Sequence, residues 1–175
     1  MPLSNGIYYT ISGRGACSFP PVILIHGAGG SYQIWPFDIR RLTRYQIIAV
    51  DLPGHGRSEG TACHSVEAYT DRILSFLHGL TIVKAVLVGH DMGGAIALSA
   101  ALRPGDVAAG VGLVSSGAFL GGETGIVNEL STPFGYSYGL QLIQNQSFGS
   151  LAKPELVKSV MQMMSRVRHG VLYSD

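Results

Sequence analysis

After the apolar run Ala85-Val86-Leu87-Val88 the chain reads Gly89-His90-Asp91-Met92-Gly93-Gly94 and passes at once into an Ala-rich stretch from Ala95 to Leu102. A run of β-formers, a Gly-x-Asp-x-Gly turn and a helical pattern predict a strand, a sharp turn and a helix, with the central side chain held out above a sheet. Gly89 and Gly93 lack Cβ atoms, so strand and helix can cross closely. Asp91 is expected at φ above zero, which Asp tolerates better than most residues. A carboxylate there needs no base to become nucleophilic, because its reference pKa is about 3.9. Attack on an acyl carbonyl would give a reactive mixed anhydride. Attack on a saturated carbon bearing a leaving group gives an alkyl ester, which activated water can hydrolyse. Asp91 is therefore the candidate nucleophile.

The elements that must position it alternate between strand and helix signals with short Gly-rich connections, which predicts an α/β fold with a mostly parallel, doubly wound sheet. Gly6 to Ser12 reads as an edge strand. Pro21 to Ile25 reads as a buried strand leading into His26-Gly27-Ala28-Gly29-Gly30. A short helix is expected to start near Trp35 rather than at Ser31, with Pro36 in its first turn and Ile39 and Leu42 as its apolar contacts. Gln46 to Val50 is the next strand and Asp51-Leu52-Pro53-Gly54-His55-Gly56-Arg57-Ser58 its exit loop. Ser65 to Leu80 follows as an amphipathic helix carrying Tyr69, Ile73, Phe76 and Leu77. Val107 to Val114 supplies a strand after the elbow helix. Beyond it strand signals fade, and two helical patterns remain, around Tyr138 to Ile143 and from Pro154 to Met164. Residues 1–117 are read as the core and 118–175 as a helical cap segment.

Composition narrows the partners. The chain has 175 residues, 46% of them apolar and 13% charged, enough to bury a core. A formal net charge of +1 offers neither a basic field for nucleic acid nor a polybasic patch for a membrane. Cys17 and Cys63 are too few for a disulfide framework or a zinc site, and they read as thiols of a reducing compartment. No cofactor and no metal is expected. Without a basic n-region, an apolar h-region or a run long enough to cross a bilayer, the expectation is a soluble, cytoplasmic protein acting on a small apolar molecule. The glycine runs at 27–30 and 54–56 complete neither GxGxxG nor a P-loop, so nucleotide binding is not expected.

Three motifs at three predicted strand ends carry a family resemblance. His26 to Gly30 is similar to an HGxGG-type oxyanion loop, Asp51 to Ser58 to a D-x-P-G-x-G-x-S loop, and Gly89 to Gly94 to a nucleophile elbow. Together they resemble the amino-terminal part of an α/β-hydrolase-fold enzyme with a cap domain. The resemblance implies an oxyanion hole made by the backbone N–H of Met92, the residue after the nucleophile, and of Ala28. It implies that His26, His90 and His55 hold loops rather than move protons. With Asp at the elbow, the enzymes it resembles are epoxide hydrolases and haloalkane dehalogenases. The latter usually place a halide-gripping Trp where this chain has Met92, so epoxide opening is the favoured reading. Tyr136, Tyr138 and Tyr173 are the candidate acids for the opening oxygen. One departure stands out: such epoxide hydrolases commonly carry a proline where this chain has Gly29.

The resemblance also implies an acid and a histidine on loops after the cap. After Asp91 the histidine on offer is His169, and the acids are Glu123, Glu129, Glu155 and Asp175, of which Glu123 alone lies near a strand end. The simplest account is a front portion of a longer enzyme, a sheet incomplete at its C-terminal end, whose strand at Val107 to Val114 leaves an unpaired edge for self-association. Two classes stay open: a hydrolase of epoxide-hydrolase type, or a serine-esterase-lineage relative or fragment with no complete triad, non-catalytic or only binding a small molecule.

Overall fold

The computed structural model describes residues 2–13, 19–117, 124–167 and 169–175. β1 (Leu3–Ser4) and β2 (Ile7–Ser12) form a hairpin through Asn5 and Gly6, both at positive φ, as a two-residue turn of matching twist requires. β2 is therefore flanked by β1 and does not form the edge expected of it. It pairs antiparallel with β4 (Ile47–Val50), and β3 (Val22–Ile25), β5 (Ala85–His90) and β6 (Ala108–Val114) continue in parallel, giving the order β1-β2-β4-β3-β5-β6. This is the fold class the alternation predicted.

The apolar strands are buried on two sides because each supplies two cores. Ile23, Ile25, Ile48, Val50, Ala85 and Leu87 pack against α2 (Val66–Gly79) through Ile73, Phe76 and Leu77, and against α3 (Met92–Leu102) through Ile96, Ala97 and Ala100. Leu24, Ile47 and Ala49, pointing the other way, meet Trp35, Ile34 and Tyr45. Ser65 caps α2 by accepting the Ala68 N–H at 3.1 Å. At the far end of the sheet order, β6 leaves Val111, Leu113 and Val114 exposed.

Between β3 and β4 the short helix expected near Trp35 is present, but a turn not foreseen precedes it and its apolar contacts differ. A 3-10 turn spans Tyr32–Ile34 with Ser31 as its cap, and α1 is the single turn Phe37–Arg40, for which Pro36 is the residue before the helix. Ile39 and Leu42 are exposed rather than packed. Pro36 lacks an N–H and fixes φ, so it divides the segment into two short turns. Beyond β6 four helices are described: α4 (Thr124–Leu130), α5 (Tyr136–Ser147), α6 (Pro154–Met164) and α7 (His169–Ser174). Only α5 and α6 show as patterns in the sequence. α4 and α7 are too short to establish a period, and their burial comes from tertiary contact. Leu130, Met164 and Leu172 form a cluster with Tyr136, Leu140 and Ile143 that also packs on Ala28, while Val171 joins the main core.

Two constraints lock the loops above the sheet. A Cβ on Gly93 would overlap the Ile25 and His26 carbonyl oxygens, so α3 approaches β3 at backbone distance. His26, fully buried, accepts the Leu52 N–H on Nε2 at 2.9 Å, and its Nδ1 lies 2.8 Å from the Gly27 carbonyl, which fixes the proton on Nδ1. Burial, then the neighbouring His55, lower its pKa to about 3.

Gly93→Ala should cost about 3 kcal/mol of unfolding free energy or prevent folding, because backbone atoms cannot make room for a methyl; an unchanged urea midpoint would contradict that packing. His26 yields a second expectation. Between its ordinary pKa of 6.5 and about 3 the unfolded chain binds a proton there that the folded chain does not, so its contribution to stability is full above the upper value and falls as pH is lowered through that window. Urea unfolding at pH 7, 6 and 5 should show a loss of up to ~1.4 kcal/mol per pH unit that is absent in His26→Gln.

Candidate active site

The elbow forms where the sequence placed it. Asp91 sits between β5 and α3 at φ 52° and ψ −125°, a conformation that L-residues rarely adopt. Its N–H donates to Val114 of β6 at 3.0 Å, and its carbonyl accepts the Gly94 N–H at 2.8 Å. Asp commonly caps a helix with its side chain, yet here it makes no capping bond. The carboxylate instead turns toward the loop after β3, where Oδ2 accepts the Ala28 N–H at 3.3 Å. Gly27 makes this approach feasible: a Cβ there would lie 2.6 Å from the same oxygen. Met92, named with Ala28 as a donor, is the first residue of α3, so its amide has no helical acceptor. Its N–H makes no bond to the Asp91 carboxylate.

The second loop is organised by Asp51, which is fully buried at the end of β4. One carboxylate oxygen accepts the Tyr32 N–H at 2.7 Å and the other the Arg57 N–H at 2.9 Å, tying the segment after the 27–30 turn to the glycine-rich loop at 54–56. Ser58 donates to the Asp51 carbonyl at 2.5 Å. Burial pushes the Asp51 carboxyl above its usual range, against the two N–H donors that favour its charge.

Asp175 was merely one acid among several in the sequence, and it becomes the centre of a buried polar cluster. Its Oδ2 lies 2.8 Å from His55 Nε2, with both side chains fully buried, and accepts the Gly29 N–H at 3.0 Å. Its Oδ1 accepts the Tyr69 hydroxyl at 2.6 Å. Because His55 Nδ1 faces the Pro53 carbonyl at 3.1 Å, the contact with Asp175 needs a proton between Nε2 and Oδ2. Burial and the adjoining Asp175 carboxylate hold the Tyr69 hydroxyl far above its usual range. His55 is buried and bonded at both ring nitrogens, and the partner of its Nε2 lies 120 positions away. No spacing rule reaches that far. The signal in the sequence was only a histidine squeezed between Gly54 and Gly56.

The other candidates fall elsewhere. His90 does not hold loop backbone: its buried Nδ1 makes no hydrogen bond, and the ring stands edge-on to Trp35 at 6.5 Å. The Tyr136 hydroxyl donates to the carbonyls of Val167 at 3.2 Å and Met164 at 3.4 Å, and burial pushes its pKa up, the wrong direction for an acid. Tyr138 and Tyr173 are about half exposed on α5 and α7. None of the three donates to Asp91. Glu123 and Cys17 lie outside the described residues, and of His169 only its place at the start of α7 is described. Among the described residues no His, Cys, Asp and Glu cluster could hold a metal ion, and no helix is long and apolar enough to cross a membrane. A cleft of about 580 Å³ opens beside the loop after β3, walled by Ser31, Tyr32, Arg57 and Ser58 and, from α6, by Val160 and Met163. Asp91 does not line it.

Comparison with known proteins agrees with this architecture. The dihydrolipoyllysine-residue acetyltransferase component of the acetoin cleaving system from Pseudomonas putida is 35% identical over 131 residues, covering 69% of this chain and 35% of that protein. The pimeloyl-[acyl-carrier protein] methyl ester esterase of Klebsiella pneumoniae is 35% identical over 117 residues, 66% of this chain and 43% of the esterase. The chain thus spans well under half the length of these curated relatives. An enol-lactonase from Burkholderia xenovorans LB400 superposes with a TM-score of 0.84 at 20% identity, covering 98% of this chain and 69% of the lactonase, a likeness of fold. The model of the alpha/beta hydrolase family matches residues 22–169. With its sheet order, its elbow and most of its length in that match, the chain belongs to the alpha/beta hydrolase family.

Proposed function

We propose that this member of the family acts through Asp91 as a nucleophile on a small, largely apolar epoxide, by way of an alkyl-enzyme ester. The observation that carries the reading is the Asp91 carboxylate held on a strained elbow with Oδ2 on the Ala28 N–H. That arrangement suits a carboxylate whose two oxygens divide the work. The oxygen facing away from the loop attacks a ring carbon, its C–O bond forms as the ring C–O bond breaks, and the released alkoxide takes a proton from water or a side chain. The ester carbonyl oxygen is then the one beside Ala28. When water adds to that carbonyl carbon, the negative charge develops where N–H donors already point. The Met92 N–H at the start of α3 is the second donor in this scheme.

Hydrolysis of the ester needs a general base, and among the described side chains no histidine is bonded to Asp91. The adduct is therefore expected to accumulate on this chain. Incubation with a phenyl-substituted epoxide followed by intact mass spectrometry should show a gain of one epoxide mass that maps to Asp91 and is absent in Asp91→Asn; an unmodified wild-type chain would sink the nucleophile assignment.

A second reading has its own support. The Klebsiella relative is named a methyl ester esterase. Moreover, Gly29 stands at φ +61° and gives its N–H to Asp175, a position that proline, fixed near −65° and lacking that donor, cannot occupy. The loop therefore differs from the proline-bearing epoxide-hydrolase loop and fits an esterase ancestry in which Asp91 replaced serine. On that reading the wild-type chain should take no epoxide, and intact mass spectrometry after incubation with the phenyl-substituted epoxide returns only the unmodified mass.

A further inference from the structure

The buried cluster around Asp175 has no part in the chemistry just described, and its geometry points toward the loop that does. Gly27 to Gly30 forms a tight turn, closed by the Gly30 N–H on the Gly27 carbonyl at 3.1 Å, with Gly29 at φ +61° as the type II form requires at its third residue. Turns of types I and II differ by a flip of the central peptide, here Ala28–Gly29, which reverses the direction of the Gly29 N–H. In this structure that N–H donates to Asp175 Oδ2 at 3.0 Å. The acceptor is itself held from two core elements, by His55 of the glycine-rich loop and by Tyr69 of α2, with no exposure of the His55 and Asp175 side chains. Leu172 of α7 completes the clamp, since a Cβ on Gly29 would lie 2.7 Å from its Cδ1.

We infer that Asp175 is a positioning residue: it pins the Gly29 N–H, fixes the turn type of the loop and so anchors the turn whose preceding peptide, Gly27–Ala28, carries the N–H that faces Asp91. The inference rests on the reading of Asp91 as nucleophile and Ala28 as its hole donor. Asp175 makes no bond to Asp91 and acts only through the loop. The Ala28–Asp91 contact of 3.3 Å lies beyond the usual 2.7–3.2 Å range for such bonds, so a small shift of the turn is enough to lose it. The arrangement couples the helical segment after β6 to the catalytic loop, because the oxyanion loop reaches its stated form only with the end of α7 in place.

The test uses the 175-residue chain, ¹⁵N-labelled, as wild type, Asp175→Ala and Asp175→Asn. Losing a buried bond to the Asp175 side chain should speed exchange of the Gly29 amide about tenfold or more in Asp175→Ala. It should also shift the Ala28 amide proton and slow alkylation of Asp91 by the phenyl epoxide by a similar factor, while the Leu24 and Leu87 amides keep their protection. Asparagine retains a carbonyl oxygen for the Gly29 N–H and should lie between the two. A merely structural role would lower the melting temperature without singling out Gly29 and Ala28. Gly29 exchange within about twofold of wild type in both variants overturns the inference, and so does wild-type alkylation with Gly29 opened. If Asp175→Ala does not fold, the same readings on Asp175→Asn decide. A wild-type chain that takes no adduct counts against the nucleophile instead, and the loop claim then stands or falls on the two amides.

Discussion

The close crossing of β5 and α3 is the constraint on which the rest of the site depends. A strand that ends and a helix that begins within one residue must put that residue in a strained conformation and must bring two backbones together where side chains would normally separate them. Asp91 at φ 52° accepts the first demand and Gly89 and Gly93 the second. Backbone bonds then over-determine the turn, from Asp91 to Val114 of β6 and from Gly94 back to Asp91. Such strain persists only where packing on every side enforces it, and Ile96, Ala97 and Ala100 root α3 in the main core directly beneath. The outward thrust of one carboxylate is thus set by the placement of the whole sheet.

A second layer of order comes from buried polar groups that join loops to one another. His26 takes the Leu52 N–H, Asp51 takes those of Tyr32 and Arg57, and Asp175 takes that of Gly29. In each case a side chain satisfies a backbone donor that no strand or helix partner reaches. A buried backbone group left unpaired is costly, so these side chains are what permit irregular loops to lie against a packed core. The buried His55–Asp175 contact belongs to the same class. A buried polar pair of this kind contributes little net stability once desolvation is counted, but removing one partner leaves the other stranded. Its value lies in holding three segments distant in sequence, the glycine-rich loop, α2 and the last residue of the chain, in one arrangement.

What could be read from the sequence divides along the same line. The strands at 22–25, 47–50, 85–90 and 108–114 and the helix at 66–79 were legible because period and composition are local, and the elbow because its glycines and its Asp stand within six residues. The glycine-rich loop after β3 was legible as a motif, though the bond from Ala28 to Asp91 was not. The 3-10 turn at Tyr32–Ile34 was not foreseen, because Pro36 divides a segment too short for any period. α4 and α7 escaped notice for want of length, and their burial depends on one another and on Ala28. Asp175 was invisible in principle: a lone acid gains meaning only when His55 and Tyr69 face it, at separations of 120 and 106 residues.

One consequence of the elbow geometry bears on the chemistry of the family to which the chain belongs. A serine at the elbow leaves the hole empty for the oxygen of a substrate carbonyl, and the N–H donors serve the substrate's charge. An aspartate whose Oδ2 already takes the Ala28 N–H fills that place with its own oxygen. An ester substrate would then have to displace the carboxylate from its donor before its carbonyl could be polarised, and like charge would oppose the developing oxyanion. A substrate attacked at saturated carbon has no such conflict, since its charge develops on a leaving oxygen outside the hole; in that first step the Ala28 N–H only orients the attacking carboxylate, and the donors stabilise charge later, when the enzyme's own ester is attacked. Under the proposed reading, the replacement of a hydroxyl by a carboxylate at position 91 thus transfers the oxyanion hole from the substrate's carbonyl to the enzyme's, with Gly27, Ala28 and the start of α3 left as the fold already has them.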